Sequence, residues 1–200
     1  MSLVIFDLDG VLVDACEWHR VALNDALTEV CGYKISLEDH YKTFNGIPTR
    51  EKLRILTEKN IVRAEQHEKI YTLKQQKTVD AISQLAGVRP EKQEMIRSLK
   101  AAGHVVACYT NSIRQTATLM LEKTGILHLF EYVLTNQDVS RSKPDPEGYL
   151  FLMKHFGFDS SDTYIIEDSP KGLAAARASG AFVYKVESPE QVNVELLKDL

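Results

Sequence analysis

The chain has 200 residues, 44% of them hydrophobic, with 24 Lys and Arg against 28 Asp and Glu for a formal net charge of −4. That is enough apolar material for a full core in one larger domain, or in one domain carrying a smaller insert. The negative balance and the lack of a Lys/Arg block speak against nucleic acid and anionic membrane as partners, and Cys16, Cys31 and Cys108 have neither the number nor the spacing of a disulfide framework or zinc motif.

The amino terminus is apolar only from Leu3 to Phe6 before Asp7 interrupts it, so no signal peptide is expected, and no later run approaches membrane-spanning length. A cytoplasmic protein is the expectation. From Ala15 to Gln84 helical patterns follow one another without a convincing strand. Leu23, Ala26, Leu27 and Val30 make one amphipathic face stopped near Gly32, and Arg50 to Lys59 makes another stopped near Asn60. Trp18 and Phe44 read as core residues of this insert. Beyond it, apolar runs at Val105 to Tyr109, Tyr132 to Leu134, Tyr164 to Ile166 and Phe182 to Val186 alternate with helical faces such as Ile113, Ala117, Met120 and Leu121, or Tyr149, Leu152, Met153 and Phe156. Pro90, Pro146 and Pro170 stand where helices begin, and Gly103, Gly125 and Gly180 stand just past their ends. Such rotation builds a parallel sheet covered on both faces. The expected architecture is an α/β sheet domain of residues 1–14 and 85–200, with residues 15–84 as an all-helical insert. No heptad seam stands out, and a monomer is expected.

In an open parallel sheet, ligands bind beyond the carboxyl ends of the strands. Asp7 ends the first strand, Thr110 with Asn111 and Ser112 ends the second, Glu167 with Asp168 ends the run "TYIIEDS", and Lys143 lies in the loop "SRSKPDPE". Asp7 and Asp9, with only Leu8 between them, repel each other unless a partner intervenes. With Asp168 they concentrate charge that a hard divalent cation, Mg²⁺, neutralises through oxygen ligands. The Thr110 hydroxyl, backbone N–H groups near Asn111 and Ser112, and the Lys143 ammonium are donors suited to a phosphoryl group. Gly10 lets the chain turn sharply beside Asp9. Taken singly, these residues read equally well as a turn pair, an N-cap cluster and surface charges; their order in the chain raises them above that.

That order resembles the haloacid dehalogenase superfamily, in its phosphatase and phosphomutase branch. The run Asp7, Leu8, Asp9, Gly10, Val11, Leu12 is similar to its first signature, and Thr110, Lys143 and the Glu167/Asp168 pair match its second, third and fourth. The resemblance implies a Rossmann-like parallel sheet core with an inserted all-helical cap domain. It implies Asp7 as covalent nucleophile, Asp9 as acid and then base, and Mg²⁺ held by the Asp7 carboxylate, the Asp9 backbone carbonyl and Asp168, with Glu167 close by or bound through water. In β-phosphoglucomutases and related phosphatases a His, an Arg after a glycine loop and a later Lys of the cap contact substrate; His19, Arg50 in "NGIPTRE" and Lys74 are the matching positions. Ala15, where a hydroxyl side chain is usual, and one extra residue in "GIPTR" depart from the mutase pattern. The expected function is therefore a Mg²⁺-dependent phosphatase of a small phosphorylated metabolite, with a sugar phosphomutase as alternative. A receiver-like signalling module would carry its nucleophile on the third strand rather than the first, and a dehalogenase would not need the metal-binding Asp168.

Overall fold

The computed structural model of the protein describes residues 1–198. Strand β1 (Leu3–Phe6) is wholly apolar and wholly buried. A helical excursion follows: α1 (Cys16–Cys31), a short α2 (Leu37–Asp39) running into a π-helical turn at His40–Phe44, α3 (Thr49–Glu58) and α4 (His67–Leu85). The chain then rotates through α5 (Pro90–Ala101), β2 (Val105–Tyr109), α6 (Arg114–Lys123), β3 (Tyr132–Leu134), α7 (Glu147–Phe156), β4 (Thr163–Glu167), α8 (Pro170–Ala178) and β5 (Phe182–Lys185). Every strand pairing is parallel and the order is β3-β2-β1-β4-β5. Strand ends fall within one residue of those the apolar runs predict. Pro90 and Pro170 open their helices as expected, whereas Pro146 and Ile113 each stand one residue before theirs, as N-cap residues.

Side chains alternate along β1, so Leu3 and Ile5 enter one core cluster with Tyr109, Tyr149 and Ile165, while Val4 and Phe6 enter the other with Met120, Leu121 and Ile166. Both faces of the sheet are thus filled, and β1 lies at its centre. Because the chain leaves β1 toward β2 on one side and β4 returns on the other, the residue after β1 sits at the point where the strand order reverses. That residue is Asp7, whose N–H continues the sheet by donating to the Ile166 carbonyl at 3.0 Å.

The helical insert has a core of its own, in which Leu23, Leu27, Phe44, Leu53, Leu56 and Ile70 pack together. Helix α4 ties it to the sheet domain. Its buried residues Ile70, Lys74, Thr78 and Ile82 recur every fourth position, and Ile70 joins the insert's cluster while Ile82 joins the sheet's. Phe44 is an insert core residue as expected. Trp18 is not: it packs against the sheet domain's cluster, because the first turn of α1 still lies over that domain, where Ala15 is buried as well. No helix of the described residues is long and apolar enough to cross a membrane.

Candidate active site

The stretch from Leu8 to Val13 folds back on itself at once: the N–H groups of Leu12 and Val13 both donate to the Leu8 carbonyl, and that of Gly10 donates to Val13 at 2.7 Å. Leu8, Val11 and Leu12 anchor the turn in the core. Gly10 has φ +90°, and a Cβ there would stand 2.3 Å from Asp168 Oδ2, so only glycine lets this turn lie against the β4 loop. The turn presents Asp7 and Asp9 at the floor of a cavity of about 350 Å³ between the sheet's strand ends and the helical insert. The expected convergence of distant segments is met.

Lys143 Nζ donates to Asp7 Oδ1 at 2.7 Å, to Glu167 Oε1 at 2.6 Å and to the Tyr109 carbonyl at 2.9 Å, which uses all three ammonium protons. Burial alone would lower its pKa, but Asp7 and Glu167 outweigh burial and hold it well above the ordinary lysine value. Asp7 is pushed up by burial and by the neighbouring carboxylates Glu167, Asp168 and Asp9, with Lys143 pulling the other way. Asp168 is raised to about 7, by burial first and then by Glu167 and Asp9.

Glu167 is fully enclosed. Its Oε1 accepts from Lys143 and from the Tyr149 hydroxyl at 3.2 Å, and its Oε2 accepts from the N–H groups of Asp168 and Ser169 at 2.9 and 3.1 Å. It fixes Lys143 and the loop after β4. Helix α8 begins directly on top of it, where Ser169 caps the Gly172 N–H and a Cβ on Gly172 would fall 1.8 Å from Glu167 Oε1. Gly172→Ala is therefore expected to lower stability by about 1–3 kcal/mol or more through overpacking, read as a reduced urea midpoint with an unchanged slope.

One oxygen each of Asp7, Glu167 and Asp168 lie within 4.8 Å of one another, and Asp168 Oδ1 is buried with no hydrogen-bond partner. A buried, unpaired carboxylate oxygen beside two further carboxylates fits a hard divalent cation. The Asp9 side chain is outside this group and faces the insert. Its Oδ1 is 2.9 Å from His19 Nε2, and its Oδ2 accepts from the hydroxyls of Ser112 at 2.8 Å and Thr110 at 3.3 Å. On the far side of the ring, Lys74 Nζ lies 3.1 Å from His19 Nδ1. An ammonium has no lone pair, so Nδ1 accepts and the ring proton sits on Nε2, donating to Asp9. Burial would raise Asp9, but His19, Ser112 and Lys74 together bring it below its usual value. His19 is itself lowered, by burial and then by Lys74.

Of the residues expected here, Asp7, Asp9, His19, Lys74, Thr110, Ser112, Lys143 and Asp168 all line the cavity. Asn111 lines it too, but its side chain is a clamp: Nδ2 donates to the carbonyls of Gly46 at 2.8 Å and Lys143 at 3.1 Å, while Oδ1 accepts from the Lys143 N–H at 3.1 Å. What Asn111 can offer a ligand is its backbone N–H, and its side chain instead holds the insert's glycine loop against the loop that carries Lys143. Arg50 lines the cavity as well, at its rim. Its guanidinium lies 4.2 Å over the Tyr71 ring and 3.3 Å from Glu68, and its side chain is 66% exposed. Among the cavity residues that the sequence reading missed is a cation, Lys52, buried and turned inward from the same helix. Its signal is its position in the apolar stripe of α3, beside Leu53 and one turn before Leu56.

Residues 4–186 match the model of the haloacid dehalogenase-like hydrolases. Pyrophosphatase PpaX of Bacillus velezensis is 27% identical over 188 residues, covering 90% of this chain and 80% of that one. The phosphorylated carbohydrates phosphatase of Thermotoga maritima is 29% identical over 181 residues, with 90% and 82% coverage. Among solved structures, β-phosphoglucomutase from Clostridium difficile superposes with a TM-score of 0.85 at 22% identity, covering 100% of this chain and 96% of that one. The last likeness is one of fold: the same parallel sheet with the same kind of helical cap. The match over nearly the whole chain, on a site whose carboxylates, hydroxyls and buried lysine meet at the strand ends, makes this protein a member of the haloacid dehalogenase-like hydrolase family.

Proposed function

We propose that the protein is a Mg²⁺-dependent phosphatase that hydrolyses a small phosphate monoester through an aspartyl phosphate on Asp7, with water as the final acceptor. The observation that carries this reading is the Asp7 carboxylate fixed by Lys143 beside the unpaired oxygen of Asp168 at the floor of a covered cavity. Named relatives of similar length, a pyrophosphatase and a sugar-phosphate phosphatase, agree with it.

An Asp7 oxygen attacks phosphorus, and the bond from phosphorus to the ester oxygen breaks. Asp9, ionised among its donors in the empty site, takes up a proton as the phosphate draws the Ser112 and Thr110 hydroxyls away, and gives it to that leaving oxygen, which would otherwise depart as an alkoxide. Water then attacks the acyl phosphate, Asp9 takes the water's proton, and inorganic phosphate leaves with the Asp7 carboxylate restored. His19 holds Asp9 in place from the cap throughout. The hydroxyls of Thr110 and Ser112, now turned to Asp9, are the donors that a phosphate would share, and Lys143 offsets negative charge on Asp7. Asp7, Asp168 and the Asp9 backbone carbonyl would hold Mg²⁺, with Glu167 oriented behind them by its own donors. When bound, the ion neutralises charge on the carboxylates and on the phosphoryl oxygens. The cap over the cavity excludes bulk water and favours small esters over phosphoproteins.

Phosphate release from a panel of small esters, assayed with Mg²⁺ and with excess chelator beside an assay of sugar 1-phosphate to 6-phosphate conversion, tests this. Release with Mg²⁺ and its loss with chelator are expected. Turnover that survives chelation, or isomerisation without release, overturns the phosphatase reading. Mg²⁺ at about a hundred times its dissociation constant is further expected to raise the melting temperature by about 5–10 °C, and Asp168→Asn to remove that shift.

A further inference from the structure

The roof of the cavity carries more positive charge than the protein itself answers. Lys52 on α3 is 6% exposed and lines the cavity, and among the described residues it has no hydrogen-bond or ion-pair partner. Lys74 on α4 is 5% exposed and reaches only the neutral face of His19. The carboxylate that acts on both lysines is Asp9, which is already engaged by His19, Ser112 and Thr110. Burial draws Lys52 down to about 8 against the pull of Asp9, and Lys74 down to about 7, with Lys52 adding to the effect. Two further cavity-lining atoms, His40 Nδ1 and Gln75 Oε1, are buried without a partner. Buried ammonium groups are rarely left without an anion, since desolvation is costly and a charge-assisted hydrogen bond recovers much of it.

We infer that Lys52 and Lys74 form a subsite for a second anionic group of the substrate, so that the preferred ester carries a carboxylate or a second phosphate at the end remote from the scissile phosphate. The inference rests on the phosphatase reading and names its substrate class. Arg50, the cation that the glycine loop suggests, lines the cavity only at its exposed rim, where its guanidinium lies beside Glu68 and over Tyr71, so the buried subsite is assigned to Lys52 and Lys74. The cavity of about 350 Å³ is at the small end for ligand pockets and suits a compact metabolite whose two charged ends face opposite walls. Lysine is the fitting residue on the cap side, since a compact ammonium accepts either oxyanion without demanding a bidentate geometry.

The test compares esters that differ only in the second charge: 2-phosphoglycolate against 2-hydroxyethyl phosphate, and propane-1,3-diol bisphosphate against 3-hydroxypropyl phosphate. With Mg²⁺, the wild-type kcat/KM is expected to favour the doubly anionic member of at least one pair by about 30-fold, the worth of one charged hydrogen bond. Which pair shows it separates carboxylate from phosphate. Lys52→Met should bring the preference to within about 3-fold, Lys52→Arg should restore most of it, and Arg50→Met should leave the ratio standing. Equal rates on both members of both pairs, or a preference that survives Lys52→Met, overturns the subsite. Calorimetric binding of the same pairs to Asp7→Asn and to Asp7→Asn with Lys52→Met reads the same ratio without turnover. If the wild type hydrolyses none of these esters, the calorimetric ratio alone decides the subsite, and the wider ester panel decides the phosphatase reading separately.

Discussion

Asp7→Asn is expected to lower kcat by at least about 10⁴-fold and to leave no covalent phosphate on the protein. An amide is a far poorer nucleophile than a carboxylate, and the neighbouring carboxylates are committed elsewhere: in the proposed mechanism Asp168 is taken up by the metal. Asp9 is held by His19, Ser112 and Thr110, and Glu167 is enclosed by five donors. The loss should not come from unfolding. Lys143 keeps its contacts to Glu167 at 2.6 Å and to the Tyr109 carbonyl at 2.9 Å, and removing this carboxylate ends the repulsion that Glu167, Asp168 and Asp9 exert on Asp7. Acid-quenched wild type mixed with substrate should show protein-bound phosphate by intact mass, and the variant none. A variant that still turns over would remove the covalent mechanism while leaving the fold and the metal site as they are.

The floor of this site was legible in the sequence and its roof only in part, for a geometric reason. His19 and Lys74 were expected at the roof and Lys52 was not. In a parallel sheet the residue after each strand must emerge on the same edge, so apolar runs that end in Asp7, in Thr110 and in Glu167 with Asp168 locate three groups at once. Lys143 came in only through its place in the order of motifs, since nothing in "SRSKPDPE" says that its ammonium is buried. On a helix, position depends on angle. Arg50 and Lys52 are two residues apart in α3 and therefore point about 200° apart around its axis, so Arg50 meets the cavity at its rim and Lys52 meets it from the buried side. Lys52 lies on the side of Leu53 and Leu56, and Lys74 follows Ile70 by one turn, which is the pattern of a lysine drawn into a buried face. Trp18 was misplaced for a related reason: α1 starts over the sheet domain and only its later turns belong to the cap core, a distinction that amphipathic spacing does not carry.

Lys143→Met is expected to damage stability and chemistry together, and the two losses can be separated. The Lys143 ammonium is 3% exposed, has three acceptors for its three protons, and stands 4.7 Å from the centre of the Tyr109 ring and 5.2 Å from that of Tyr149. Methionine fills a similar volume but leaves Asp7, Glu167 and Asp168 facing one another with no cation, so a loss of about 3–5 kcal/mol is expected from the uncompensated charge. The denaturant midpoint of the metal-free protein measures it. Glu167→Gln added to Lys143→Met removes one of the stranded carboxylates while its amide oxygen can still accept from the Asp168 and Ser169 N–H groups. The double variant should therefore be more stable than the lysine variant alone, a positive coupling of the kind expected for groups in direct contact. Activity should not follow stability. If Lys143 acts on the Asp7 carboxylate and the phosphoryl group, the refolded double variant stays at least about 10³-fold below wild type in kcat. Recovery of turnover along with stability would show that the lysine serves only to neutralise Glu167, and would leave Asp7 without the partner that fixes its attacking oxygen.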